Sequence, residues 1–178
     1  MAAVDFSQMV ILQYPDPRLR VACSPVESFD EALSDIVARM FELMHDAEGV
    51  GLAAPQVGLM RRLFVYNVTG DPADDRVVIN PALSDFAQPV ESEEGCLSIP
   101  DVTVKLRRHD RCLLRGRDLA GRSFEIEGSE LAARCWQHEC DHLDGRLIID
   151  RMSESDRIFN RRALRQLEAR HNKGAPLA

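Results

Sequence analysis

The run His138-Glu139-Cys140-Asp141-His142 holds the residues best suited to chemistry. On a helix, residues four apart lie one above the other, so His138 and His142 aim two imidazoles at one point, a chelating geometry. Glu139 stands beside His138, where its carboxylate reaches a water on the metal without taking the water's place. Two ligands and a general base within five residues describe the catalytic helix of a hydrolase. The blander reading of a histidine, a satisfied core or surface residue, suffices for His45, His109 and His171. For the pair it does not: Leu131, Cys135, His138 and His142 fall at helical spacing and predict one buried face. Two imidazoles and a carboxylate buried together are costly unless a metal or hydrogen bonds satisfy them.

A catalytic metal needs a third protein ligand and an open position. Glu91, Glu93 and Glu94 are candidates, but Cys96 is the better one. It stands in Glu94-Gly95-Cys96-Leu97-Ser98, where Gly95 permits an unusual backbone turn and the flanking residues can pair as a sheet edge. Cys23 and Cys112 read as small buried hydrophobes. Cys140 points away from the two histidines, whereas Cys135 shares their face and is placed to line a pocket. A donor set of two His and one Cys, taken by itself, favours zinc.

The elements that must position these groups follow from periodicity. Leu33, Ile36, Val37, Met40, Met44 and Ala47 predict a helix over Phe29 to Glu48, opened by a Ser28/Glu31 capping box and closed by a left-handed Gly49. Gly49 to Gly58 reads as a close-approach loop of small residues around one amide, Gln56. Strands are predicted at Leu63 to Val68, Arg76 to Ile79, Val102 to Leu106, Arg111 to Arg117 and Ser123 to Glu127, the last two forming a hairpin around Asp118 to Gly121. Helices follow from Ser129 to about Leu143, stopping at Gly145, and from Ser153 to about Arg170. Strands clustered between helices give an α+β class, with small mixed or antiparallel sheets packed around the central His-Glu-x-x-His helix.

At 178 residues the chain is read as one domain, residues 1–178, large enough to bury a core without disulfides. Five cysteines, an odd number at irregular spacing, read as thiols or metal ligands. The apolar run Met9 to Leu12 is too short for a signal-peptide core, and Asp5 and Asp16 argue against a transit peptide, so a cytoplasmic address is expected. No stretch resembles a membrane span. A net charge of −7 disfavours a general nucleic-acid binder. Arg151 to Lys173 departs from that balance, with seven Lys or Arg against three acids. Beyond the short tail Gly174 to Ala178 there is no low-complexity tract and no repeat.

Three segments together, Gly49-Val50-Gly51-Leu52-Ala53-Ala54-Pro55-Gln56, Glu94-Gly95-Cys96-Leu97-Ser98 and Gln137-His138-Glu139-Cys140-Asp141-His142, resemble the peptide deformylases in order and spacing. The resemblance extends from Tyr14-Pro15-Asp16-Pro17-Arg18-Leu19-Arg20 to the last helix. It implies hydrolysis of the formyl group from N-formylmethionine on nascent polypeptides, releasing formate. It further implies that Cys96, His138 and His142 bind the metal, that Glu139 is general base and acid, and that Gln56 and the backbone N–H of Leu97 stabilise the oxyanion. The metal it implies is ferrous iron, with zinc, nickel or cobalt able to substitute. Gly51 would let the backbone approach the substrate closely. Val50, Leu131 and Cys135 are candidates for a methionine pocket, although core packing explains them equally well. Some members carry an arginine shortly after the cysteine motif, and Asp101-Val102-Thr103-Val104 offers none.

Two rivals are a small metallopeptidase cutting ordinary amide bonds and a non-catalytic metal- or ribosome-binding module. For the basic last helix a solvated face is the ordinary reading. Contact with ribosomal RNA near the nascent-chain exit is the sharper one.

Overall fold

A computed structural model describes residues 6–172. Lys173 and the tail Gly174 to Ala178 lie outside the described residues. The first long helix, α1 (Glu31–Asp46), buries Leu33, Val37, Met40 and Met44 as its periodicity predicts. Its ends differ from expectation. Asp30, not Ser28, is the N-cap: its carboxylate accepts the Leu33 N–H at 3.0 Å, which a short acidic side chain one residue before the helix is placed to do. At the other end Glu48 takes the left-handed conformation, with φ +52°. Gly49 serves close packing instead, because a Cβ there would lie 2.7 Å from Leu97 Cδ1.

The strands are β1 (Gly51–Ala53), β2 (Leu63–Tyr66), β3 (Arg76–Glu94), β4 (Val104–Arg117) and β5 (Ser123–Ser129). They form one antiparallel five-stranded meander in chain order, where several small sheets were expected. The close-approach loop contains β1 and a 3-10 turn over Ala54–Val57. β3 runs well beyond Ile79. Register shifts at Ile79/Ala82 and Ser84/Ala87, with left-handed Asn80 and Asp85 near them, break its two-residue alternation and hide its length in the sequence. β4 fuses two predicted strands. The charged run between them, Arg107 to Asp110, is accommodated because Arg108 is buried with ionic partners.

The central helix α2 (Glu130–Leu143) packs on β4, β1 and β5. Trp136 seats it against Gly128 of β5, where any side chain would collide with the indole. The predicted buried face of α2 holds for Cys135 and His142, while Leu131 is 41% exposed. The last helix, α3 (Glu154–Asn172), lays Leu167, Ala163 and Leu164 on a cluster with Ile99, Val102 and Val104. Among the described residues no helix is long and apolar enough to cross a membrane.

Candidate functional site

Cys96 lies two residues past the end of β3, and His138 and His142 project from α2. Their ligand atoms converge within 4.8 Å of one another. His138 Nε2 and Cys96 Sγ each lie 3.2 Å from His142 Nε2. A four-coordinate ion with N and S ligands places neighbouring donors about 3.3–3.6 Å apart, so the set fits one metal with little adjustment. Gly95 shows no left-handed turn. The left-handed residue of this loop is Asp101, at φ +62°.

Burial holds His142 well below the usual histidine pKa and so keeps it neutral, as a ligand must be. For His138 burial also opposes the proton, but hydrogen bonds with Cys96 and Glu94 outweigh it and raise the pKa. Glu94 thus serves behind the histidine rather than as a ligand: its Oε2 lies 3.1 Å from His138 Nδ1. That bond directs Nε2 of His138 toward Cys96 and His142. Arg108 grips Glu94 with two bonds of 2.8 and 3.0 Å and reaches Asp141 of α2 at 2.6 Å. The Arg108 side chain is 2% exposed. Burial alone would raise Glu94, but His138 and Arg108 outweigh it and hold the carboxyl at about 2. Sequence reasoning missed Arg108. Its signal was a cation in the inward phase of β4, after Val104 and Leu106.

Glu139 is 3% exposed, and its Oε2 has no hydrogen-bond partner among the described residues. Burial raises its pKa to about 7. Gly51 faces it across the cleft: a Cβ there would collide with Glu139 Oε1 and lie 2.8 Å from Cys135 Sγ. The 3-10 turn buries Gln56 and sets its orientation. Its Oε1 accepts the Ala53 N–H at 2.8 Å, leaving Nε2 to donate to Ser98 Oγ at 3.1 Å and toward Cys96 Sγ at 3.7 Å.

These groups open into a cleft of about 520 Å³ that includes Leu97, Gly51, Val50, Leu131 and Cys135. Val50 and Leu131 form its exposed rim. Cys135 lies deeper, 3.5 Å from the Val50 carbonyl, with its thiol pushed well above the ordinary pKa by burial. His142 is buried beneath the cleft rather than in its wall. All ten site residues expected from the sequence thus meet around the converging ligands.

The family model described as polypeptide deformylase matches residues 9–158. The chain is 41% identical to the peptide deformylase of Hahella chejuensis, across 95% of this chain and 99% of that one. It is 39% identical to that of Pseudomonas aeruginosa, across 93% and 97%. Among solved structures, a peptide deformylase from Legionella pneumophila superposes with a TM-score of 0.86 at 41% identity, covering 92% of this chain and 97% of that one. A peptide deformylase from Arabidopsis thaliana superposes with a TM-score of 0.88 at 38% identity, covering 95% of each. Sequence match, superposition and the convergent Cys-His-His set agree, and the chain belongs to the peptide deformylase family.

Proposed function

We infer that this site hydrolyses the formyl amide at the N-terminus of newly synthesised polypeptides, with the residues above in defined roles. The observation that carries the assignment of roles is the placement of a buried, unpaired Glu139 carboxylate oxygen beside three converging ligands and the Gln56 amide. Cys96, His138 and His142 hold the metal, which we assign as ferrous iron, with zinc, nickel or cobalt able to replace it. When bound, a divalent metal supplies Lewis acidity that makes water a competent nucleophile near neutral pH.

Glu139, with a pKa of about 7, accepts the proton of the attacking water. Negative charge developing on the formyl oxygen is met by the Leu97 backbone N–H and by Gln56 Nε2, whose amide is oriented beforehand by its bonds to Ala53 and Ser98. The carbon–nitrogen bond then breaks, Glu139 returns the proton to the departing amine, and formate is released. A formyl carbon carries only hydrogen, so the narrow floor between Gly51 and Glu139 admits it while bulkier acyl groups collide. Gly51 lets the peptide backbone approach, and Val50, Leu131 and Cys135 receive the methionine side chain.

We further assign the chain to one catalytic domain, residues 1–178, acting in the cytoplasm. The basic α3, residues 154–172, offers a ribosome contact suited to a co-translational substrate. A salt-insensitive association, or one unchanged on truncation at Met152, would remove that contact. Formyl-Met-Ala and acetyl-Met-Ala distinguish the activity from general peptidase action, since only the first is expected to react. Glu139→Gln is expected to keep metal bound and lose turnover, and retained turnover would sink the assignment of the base.

A further inference from the structure

The reaction leaves α3 without a task, yet one of its side chains grips the wall of the cleft and a second holds Tyr14, which bonds to the chain just before that wall. Asn160 is 2% exposed and lies on the inner face of the helix. Its Nδ2 donates to the Thr103 carbonyl at 2.8 Å, and the Thr103 N–H donates to its Oδ1 at 3.3 Å. One side-chain amide therefore takes both polar groups of a backbone unit, as a neighbouring strand would. Two turns further along, Glu168 accepts the Tyr14 hydroxyl at 3.0 Å, while the Tyr14 N–H donates to the Ser98 carbonyl at 2.8 Å.

These contacts bracket residues 98–103, just after the ligand Cys96. Ile99 to Thr103 line the cleft. Midway, Asp101 holds φ +62°, a conformation a non-glycine residue keeps only where its surroundings over-determine it. Ile99 and Val102 pack below into the cluster that contains Leu167 of α3. The methionine rim lies elsewhere, at Val50, Leu131 and Cys135. This wall is left to meet the peptide beyond the methionine, and Asp101 to Val104 carries no basic side chain to do so. This wall presents the backbone of residues 99–103 with the Asp101 and Thr103 side chains, and at Thr103 its position is set from behind by Asn160.

We propose that Asn160 is a positioning residue for peptide recognition: through Thr103 it fixes the cleft wall that meets the substrate backbone beyond the methionine. The proposal rests on the deformylase reading above. Its test uses the full-length, metal-loaded chain with formyl-Met and formyl-Met-Ala-Ser as substrates. Asn160→Ala is expected to raise KM for the tripeptide about tenfold while kcat stays within about twofold and formyl-Met is unaffected. Metal content is expected to match wild type. Tyr14→Phe, which removes only the hydroxyl bond to Glu168, is expected to shift KM in the same selective way by about two- to threefold. Should Asn160→Ala fail to fold, Tyr14→Phe decides. Equal losses on both substrates, or an unchanged tripeptide KM, would overturn the proposal. Wild-type turnover keeps the two readings apart. No wild-type reaction with formyl-Met-Ala-Ser removes the deformylase reading and the proposal with it, whereas normal wild-type turnover with unselective variants removes the proposal alone.

Discussion

Arg108 is the residue on which the geometry of Cys96, His138 and His142 hangs, although its bonds go to Glu94 and Asp141 rather than to any of the three. Its two bonds to Glu94 and one to Asp141 tie the end of β3 to α2. Replacing it with Met leaves two carboxylates facing a buried space, a loss of about 3–5 kcal/mol by the behaviour of broken buried pairs. Denaturant titration measures that loss. Metal affinity is expected to fall about 10–100-fold, because Glu94 no longer holds His138 at a fixed angle, and competition with a chelator reads this out. Arg108→Lys is not expected to restore either property, since an ammonium cannot make the forked contact. Gly51→Ala places a methyl against Glu139 and Cys135 and is expected to lower kcat/KM about a hundredfold, the cost of a Glu139 carboxylate displaced by a fraction of an ångström. At this scale the sequence was legible where chemistry is local. His138, Glu139 and His142 declare themselves by helical spacing, and Cys96 and Gln56 by motif. Arg108 and the supporting place of Glu94 were hidden, because their meaning lies in contacts 14 and 33 residues apart.

Among the elements, α2 was the easiest to read and β3 the hardest. Ser129 and Gly145 mark the limits of α2, and its apolar positions supply the seating on the sheet. β3 has no such regularity: two register shifts and residues Pro81 and Pro89 interrupt a strand that only its pairing with β4 makes continuous. Leu131 misled the face assignment because the first turn of α2 overhangs the cleft rather than the sheet. The contact of α2 with β5 depends on the absence of a side chain at Gly128. Gly128→Ala is expected to push Trp136 out of its seat and lower stability by about 1–3 kcal/mol, as overpacked cores do. Thermal unfolding checks it. Trp136→Phe in the same background is expected to recover part of the loss, since the smaller ring vacates the contested space.

For the whole molecule, the α+β class was legible because helices flank a block of strands, but the single sheet was not. Nothing in one strand's composition says which neighbour it will pair with. The docking of α3 was equally hidden. Its charge reads as a solvated face, while the contacts that matter are the buried Asn160 and Leu167. An ion held by Cys96, His138 and His142 would join α2 to the segment after β3, and so would bind the folded chain and not the unfolded one with the same geometry. Stripping it with a chelator is expected to lower the thermal midpoint, and adding a divalent ion back to restore it. An unchanged midpoint would mean that the three ligands do not share an ion.

His138 and His142 lie one helical turn apart, whereas Cys96 reaches them only after a loop of more than forty residues, which contains β4 and β5, has closed by the packing of α2 on β4. During folding the helix can therefore hold an ion by two points while the sheet is still finding its register, and the Cys96 sulfur arrives last. Refolding begun with the ion present is expected to be faster than refolding followed by its addition, for the ion would be a template early and a clasp late.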